Sequence, residues 1–392
     1  MRILHTSDWH LGRAFGPVSL HDHQRDFLDW LVDTVRAQAI DLVIVAGDIY
    51  DKAIAPNESM VLFRDVLHRL SAITKVAVIT GNHDGADRVN TYGELLDVSG
   101  VYLRGGYESV GEVITIDMPD GPVDLVLLPF LHPQGAPTAY GNDVNDGDDG
   151  AADTDIERRV RRTHQSVLAT ATSQAAGRLR SPRSIAVAHA FVAGGVESES
   201  ERQLSVGGTS VVDGVMFSPF SYTALGHLHR PQTVSPTVRY SGTPLAYSFS
   251  ENHAKSVTIV DLEVNGAVSI DELPVPVGRP VLTVTGTIAE LLAASPTAIE
   301  RESFVRAIIT DAGVVLDAKS RLETVYPHVV EIELRPSLST GGAVIGSERV
   351  AMRATEVADR FWEAVVGEPV GEAEQQLLHQ AILSAETEGS VA

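Results

Sequence analysis

The 392-residue chain carries a net charge of −22, is 44% hydrophobic and contains no cysteine. That composition supplies apolar material for two or three folded units and sets the chain apart from disordered ones. It excludes disulfides, cysteine-ligated zinc and thiol catalysis, and suits a reducing cytoplasm. The acidity argues against a nucleic-acid ligand unless metal ions or a basic partner reverse the local field.

Arg2 to Thr6 opens the chain as an apolar strand. With Asp8 close behind and no long apolar stretch, it does not read as a signal peptide, and no later run reaches the length of a membrane helix. Leu42–Ala46, ending in Gly47, and Val76–Ile79, ending in Gly81, read as buried parallel strands. Phe27, Leu28, Leu31, Val32 and Val35 recur at helical spacing, and Met60, Val61, Phe63 and Leu67 do so less cleanly. This is strand–helix–strand logic, with chemistry expected just past the strand C-termini. Residues 112–117 and 123–128 predict a hairpin around Pro119-Asp120-Gly121. An acidic, glycine-containing stretch, 143–157, reads as a solvated loop, because crowded like charges repel. A helix is expected over 156–176, carrying Arg158, Arg159, Arg161 and Arg162, followed by strands at 184–189, 223–225, 237–240, 256–262 and 267–273.

Pro274, Pro276, Gly278 and Pro280 mark a linker. Beyond it, strands at 281–285, 304–310 and 329–334 and a helix at 288–294 predict a small α/β unit. Two helical segments close the chain, about 347–366 and 371–385, with Phe361, Trp362, Leu377, Leu378 and Ile382 among their apolar positions. The reading is therefore an α/β (α+β) chain: a sandwich of two sheets flanked by helices over 1–275, a capping domain over 281–340, and C-terminal helices over 345–388.

Five short segments place metal-ligand residue types directly after apolar strands: Asp8-Trp9-His10, Gly47-Asp48-Ile49-Tyr50-Asp51, Gly81-Asn82-His83-Asp84, Ala188-His189 and Gly226-His227-Leu228-His229. In extended backbone, residues two apart point the same way, so Asp8/His10 and His227/His229 are each expected to face one cluster. Each segment alone is equally a turn or a capping pair. Five in this order, each at a strand end, point to a metal site. The donors are oxygen and imidazole, which suit manganese, iron or zinc. One divalent ion would be neutralised by the carboxylates of Asp8 and Asp48. Two ions leave positive charge to attract a phosphodiester and to activate water. His5, His21, His23, His68, His132, His164, His253 and His328 lack the pattern and are read as structural or surface residues.

These residues resemble the calcineurin-like metallophosphoesterase superfamily. The opening Met1 to Gly12, His23-Gln24 before Phe27 to Leu31, Gly226 to Gln232, Tyr240 to Pro244 and Ser248 to Glu251 are similar within it to the SbcD family of nuclease subunits. The resemblance covers roughly residues 1–275, and the tail is similar in plan. It implies that Asp8, His10, Asp48 and His229 hold one ion, and Asp48, Asn82, His189 and His227 the other, with Asp48 bridging. It implies a catalytic His83 acting on the phosphate or the leaving group. Asp51 is expected to orient His83 by carboxylate–imidazole pairing, or else to cap a helix. The implied activity is ATP-dependent 3′–5′ exonuclease action on double-stranded DNA ends and endonuclease action on hairpins and single strands, in repair and recombination. The implied cofactors are two divalent ions, most suitably Mn2+. The chain holds no Gly-x-x-x-x-Gly-Lys-Ser/Thr loop, so the ATPase is expected on another polypeptide, an SbcC-type coiled-coil protein docked on the C-terminal helices of a homodimer within a heterotetramer. DNA contacts are expected to phosphates and not to bases. The competing reading is a small-molecule or cyclic-nucleotide phosphodiesterase of the same superfamily.

Overall fold

The computed structural model describes residues 1–137, 162–198, 201, 211–313 and 315–336. From 355 onward it describes 355, 358–359, 362–363 and 370–388. The chain divides into two units, Met1–Pro336 and Ser337–Ala392.

Two six-stranded sheets pack face to face. In the first, the strand order is Val268–Pro274, Ser256–Leu262, Arg2–Thr6, Leu42–Ala46, Lys75–Ile79, Val101–Arg104. In the second it is Gln232–Ser235, Val238–Tyr240, Tyr222–Gly226, Ser184–His189, Val123–Leu128, Ile114–Ile116. The central strands run parallel: Arg2–Thr6 pairs with Leu42–Ala46, which pairs with Lys75–Ile79, and Tyr222–Gly226 pairs with Ser184–His189. Parallel strands covered on both faces must be apolar on both faces. Leu42, Ile44 and Ala46 enter the core between the sheets with Leu125, Leu127, Ile185 and Ala224. Val43 and Val45, on the opposite face, pack under Phe27, Leu28, Leu31, Phe63 and Val66 of the helices His21–Ala37 and Asn57–Ser71. The second sheet is covered in the same way by Val167, Leu168 and Ala171 of the helix His164–Ala176. The result is helix, sheet, sheet, helix, with every long parallel strand ending at a common edge.

Several elements depart from expectation. The second sheet gains an edge strand, Gln232–Ser235, which Pro231 and Pro236 obscure in the sequence. The helix expected from 156 begins at His164, where Thr163 and Ser166 form a capping box. Arg162 lies before it, buried, and donates to the Ala136 carbonyl. Arg158, Arg159, Arg161 and the acidic stretch 143–157 lie outside the described residues.

After the proline-rich linker, three parallel strands, Val281–Gly286, Phe304–Ile309 and Val329–Leu334, form their own sheet. Val305, Ala307 and Ile309 meet Ile288, Leu291 and Leu322 in a small core. Phe304 stacks on Phe15 at 4.9 Å, and Arg306 lies 4.6 Å over the Phe249 ring. In the second unit the helix spans Glu372–Glu388, and Asp359 accepts from Gln375 Nε2 at 2.7 Å and meets His379 Nε2 at 2.9 Å. Leu377 is 69% exposed on this helix. Most of the segment expected to be helical over 347–366, Phe361 included, lies outside the described residues.

Candidate metal centre

At the common edge, the loops after five strands converge. Asp8 and His10 follow Arg2–Thr6, and Asp48 follows Leu42–Ala46. Asn82 and His83 follow Lys75–Ile79, while His189 ends its own strand and His227 and His229 follow Tyr222–Gly226. Asp8, His10, Asp48, His189, His227 and His229 are buried, and Asn82 and His83 are half-buried.

The loops are not the extended backbone that the two-residue spacing suggests. Asp8, His10, Asp48 and His227 all adopt positive φ, at 54°, 44°, 48° and 106°. Such backbone costs about 1–3 kcal/mol per residue and persists only where its surroundings enforce it. Here the loop from Asp8 runs beside the loop from Gly47: Asp8 N donates to Gly47 O at 3.0 Å, His10 N to Asp48 O at 3.0 Å and Leu11 N to Ile49 O at 2.8 Å. The pairs reach the centre by wrapping around it and not by strand alternation.

Three glycines make the approach possible. A Cβ on Gly226 would lie 1.8 Å from the Ala46 carbonyl oxygen, one on Gly81 2.1 Å from Asp48 Oδ1, and one on Gly47 2.3 Å from His189 Nδ1. Gly226 is where the second sheet meets the first.

The acceptor atoms crowd together. His10 Nε2 and His229 Nε2 are 3.2 Å apart. His189 Nε2 and His227 Nδ1 each lie 3.0 Å from Asn82 Oδ1. Asp48 Oδ2 stands between these groups, 3.7 Å from His10 Nε2 and 3.5 Å from His189 Nε2. Asp8, His10 and His229 also bring one ligand atom each within 4.8 Å of one another, as do Asp8, Asp48 and His189. Lone pairs about 3 Å apart repel unless a cation lies between them, and donors bound at about 2.0–2.2 Å to one ion sit at this separation. Burial pushes the His10, His189 and His227 imidazoles below their ordinary range, which favours the neutral, ligating form. Burial and the neighbouring Asp48 push the Asp8 carboxyl up, the mark of buried negative charge without a counter-ion. The donor set therefore fits divalent metal.

A ring of further contacts orients the donors. His189 Nδ1 meets Ala46 O at 2.9 Å, leaving Nε2 for the centre. Gln24 Nε2 donates to His10 O at 2.7 Å, and Tyr247 OH donates to Trp9 O at 2.5 Å. Ser7 Oγ donates to Asp8 Oδ2 at 2.5 Å. Asp84 accepts from the amides of Ile49, Tyr50 and Gly81 at 2.8–3.1 Å, pinning the Asp48 loop to the Asn82 loop. Burial and Asp48 push the Asp84 carboxyl up to about 7. Glu251 meets His229 Nδ1 at 3.1 Å.

Sequence reasoning gave no role to Gln24, Asp84, Tyr247 or Glu251, because each acts through a contact that no local pattern announces. The expected carboxylate–imidazole pairing of Asp51 with His83 is not the contact that forms. His83 Nδ1 meets the backbone carbonyl of Asp51 at 2.8 Å, and the Asp51 carboxylate accepts from Arg13 Nη1 at 3.1 Å. Nor does Asp51 cap a helix, since Asn57–Ser71 starts after Pro56.

Residues 1–137 match the family model for calcineurin-like phosphoesterases, and residues 277–366 match that of the type 5 capsule protein repressor C-terminal domain. The chain is 33% identical over 372 residues to the SbcD subunit of the nuclease SbcCD of Bacillus subtilis (strain 168), covering 92% of this chain and 91% of the relative. It is 27% identical to that of Staphylococcus epidermidis (strain ATCC 12228 / FDA PCI 1200), covering 85% of each. It is 26% identical to that of Staphylococcus saprophyticus (strain ATCC 15305), covering 100% of each. A phosphoesterase domain with a buried cluster of oxygen and imidazole donors, joined to a matching C-terminal domain in full-length similarity, places this chain in the SbcD family of metal-dependent nucleases.

Proposed function

We propose that the chain is a manganese-dependent DNA phosphodiesterase with two ions, working with an SbcC-type coiled-coil ATPase on double-stranded ends, hairpins and single strands. The observation that carries this reading is the convergence of acceptors from both sheets around Asp48. Asp8, His10, Asp48 and His229 would hold one ion, and Asp48, Asn82, His189 and His227 the other. When bound, the ions supply Lewis-acid polarisation of the phosphodiester and a lowered pKa for the attacking water.

His83 has the geometry of a proton donor. A carbonyl can only accept, so the bond to Asp51 O fixes the proton on Nδ1. Any second proton then sits on Nε2. From there an imidazolium donates to the leaving alkoxide, or steadies the phosphate beforehand. The His83 amide donates to Asp48 Oδ1 at 2.8 Å, and the His83 ring lies 4.7 Å from that of His10. The ring is thus held at the edge of the centre without occupying the Asn82 position. Arg13, 5.1 Å over the Tyr247 ring, places a cation beside the same edge. It offsets part of the acidity that opposes an anionic substrate.

The relatives' names make them one component of a complex, which supports an SbcC partner, a homodimer within a heterotetramer, and a site of action at the cytoplasmic nucleoid. Exposed Ile54, Met60 and Val61, and exposed Tyr92 and Leu95, offer apolar surface for self-association. Hydrolysis of bis-p-nitrophenyl phosphate with added manganese, followed by a comparison of linear duplex DNA with cyclic nucleotides, tests the reading. Turnover of cyclic nucleotides alone would favour a small-molecule phosphodiesterase.

A further inference from the structure

Among the imidazoles of the centre, His189 and His83 are held at Nδ1 by neutral backbone carbonyls. His229 is held differently. Its Nδ1 meets Glu251 Oε1 at 3.1 Å, and Glu251 is 1% exposed. Burying a carboxylate costs several kcal/mol unless a cation and further donors repay it. Both are present on the other oxygen: Lys255 Nζ pairs with Oε2, and Thr243 Oγ1 donates to it at 3.0 Å. Lys255 Nζ also donates to Thr243 Oγ1 at 2.8 Å. The backbone closes the same assembly, with Thr243 N donating to His229 O at 3.1 Å and Val275 N donating to Lys255 O at 2.9 Å. The two carboxylate oxygens thus have separate duties, one towards the ammonium and the hydroxyl, the other towards the imidazole.

An ionised carboxylate only accepts hydrogen bonds. His229 must then carry its proton on Nδ1, and Nε2, which lies 3.2 Å from His10 Nε2, keeps its lone pair. We infer that Glu251, backed by Lys255, is a positioning residue of the metal centre: it locks the tautomer and the ring angle of His229, and so sets the affinity of the ion that His229 and His10 share. The inference rests on the two-ion reading of the site. It names a role for the Ser248 to Glu251 segment that the strand-end ligands leave unexplained.

The test uses the full chain. In the metal-free wild type, two-bond 15N–1H correlations of the imidazoles, with His229 assigned by its loss in His229→Gln, should show the proton on Nδ1. Manganese titration followed by EPR of the free ion should then show two equivalents. In Glu251→Ala, one equivalent should weaken by about 10- to 100-fold, the scale for loss of a group that orients a ligand histidine, while the other is unchanged. Glu251→Gln, whose amide oxygen still accepts from Nδ1–H, should recover part of that loss. Two equivalents of unaltered affinity in a folded Glu251→Ala, or equal weakening of both, would overturn the inference. So would a proton on Nε2 of His229 in the wild type, a measurement that stands even if Glu251→Ala fails to fold. A wild type that binds one equivalent or none would count against the two-ion reading, while the tautomer, read without metal, still decides for or against Glu251.

Discussion

Asp48 and His83 are neighbours in the centre with different duties, and substitution should separate them. Asp48→Ala removes the carboxylate that stands between the two groups of donors. It should abolish turnover and reduce bound manganese below two equivalents, with the thermal transition retained. Two ions still seen by calorimetry would refute bridging. His83→Ala should keep both equivalents and lower turnover by about 10²-fold or more, the usual scale of acid–base assistance. Loss of an ion in that variant would make His83 a ligand. His5 gives a pH prediction away from the ligands. Its ring is buried between Tyr222 OH at 2.9 Å and Leu225 O at 3.1 Å, and burial lowers its pKa to about 3. The unfolded chain, with an ordinary pKa of about 6.5, takes up the proton first. This contribution to stability is therefore full above that value and is lost as pH falls towards the folded one. Urea midpoints of the metal-free protein should drop between pH 7 and pH 5, and drop less in His5→Gln. An equal drop in both would show that other groups govern the acid limb.

At the scale of elements, Gly226 carries the sharpest prediction. Its α-carbon faces the last carbonyl of Leu42–Ala46, where no Cβ fits. Gly226→Ala should part the two sheets at the centre, cost about 1–3 kcal/mol or more in denaturant unfolding, and weaken metal binding. Crystals showing both sheets unmoved would contradict it. The elements that build this edge were legible because each central parallel strand must be apolar on both faces, which leaves a run such as Leu-Val-Ile-Val-Ala followed by glycine. Their ligands were legible because those residue types recur at the ends of such runs. The left-handed backbone of Asp8 and His10 was not legible, since it is imposed by hydrogen bonds to Gly47 and Asp48 some forty residues on. The same holds for Glu251: a glutamate in a polar segment gives no sign that His229 and Lys255 will close on it. The edge strand Gln232–Ser235 was hidden by its prolines, which only an edge position tolerates.

For the whole molecule, the division into Met1–Pro336 and Ser337–Ala392 separates chemistry from the remainder of the chain. Every donor of the centre lies in the first unit. A chain ending at Gly342 should therefore keep manganese-dependent cleavage of single-stranded DNA, yet lose SbcC binding and ATP-stimulated digestion of duplex ends. Co-purification of the shortened chain with SbcC would move the docking surface elsewhere. The centre also draws on both sheets, and this bears on the order of synthesis. Asp8, His10, Asp48, Asn82 and His83 emerge early, but His189, His227 and His229 come much later. Gly226 seats against Ala46 only when the second sheet is in place. A nascent chain that has passed its first 137 residues, the span matching a phosphoesterase, still lacks three imidazoles. Contacts so distant along the chain form late and slowly. The nuclease is thus inert on the ribosome by construction, and its catalytic power arrives in a single step near the end of translation.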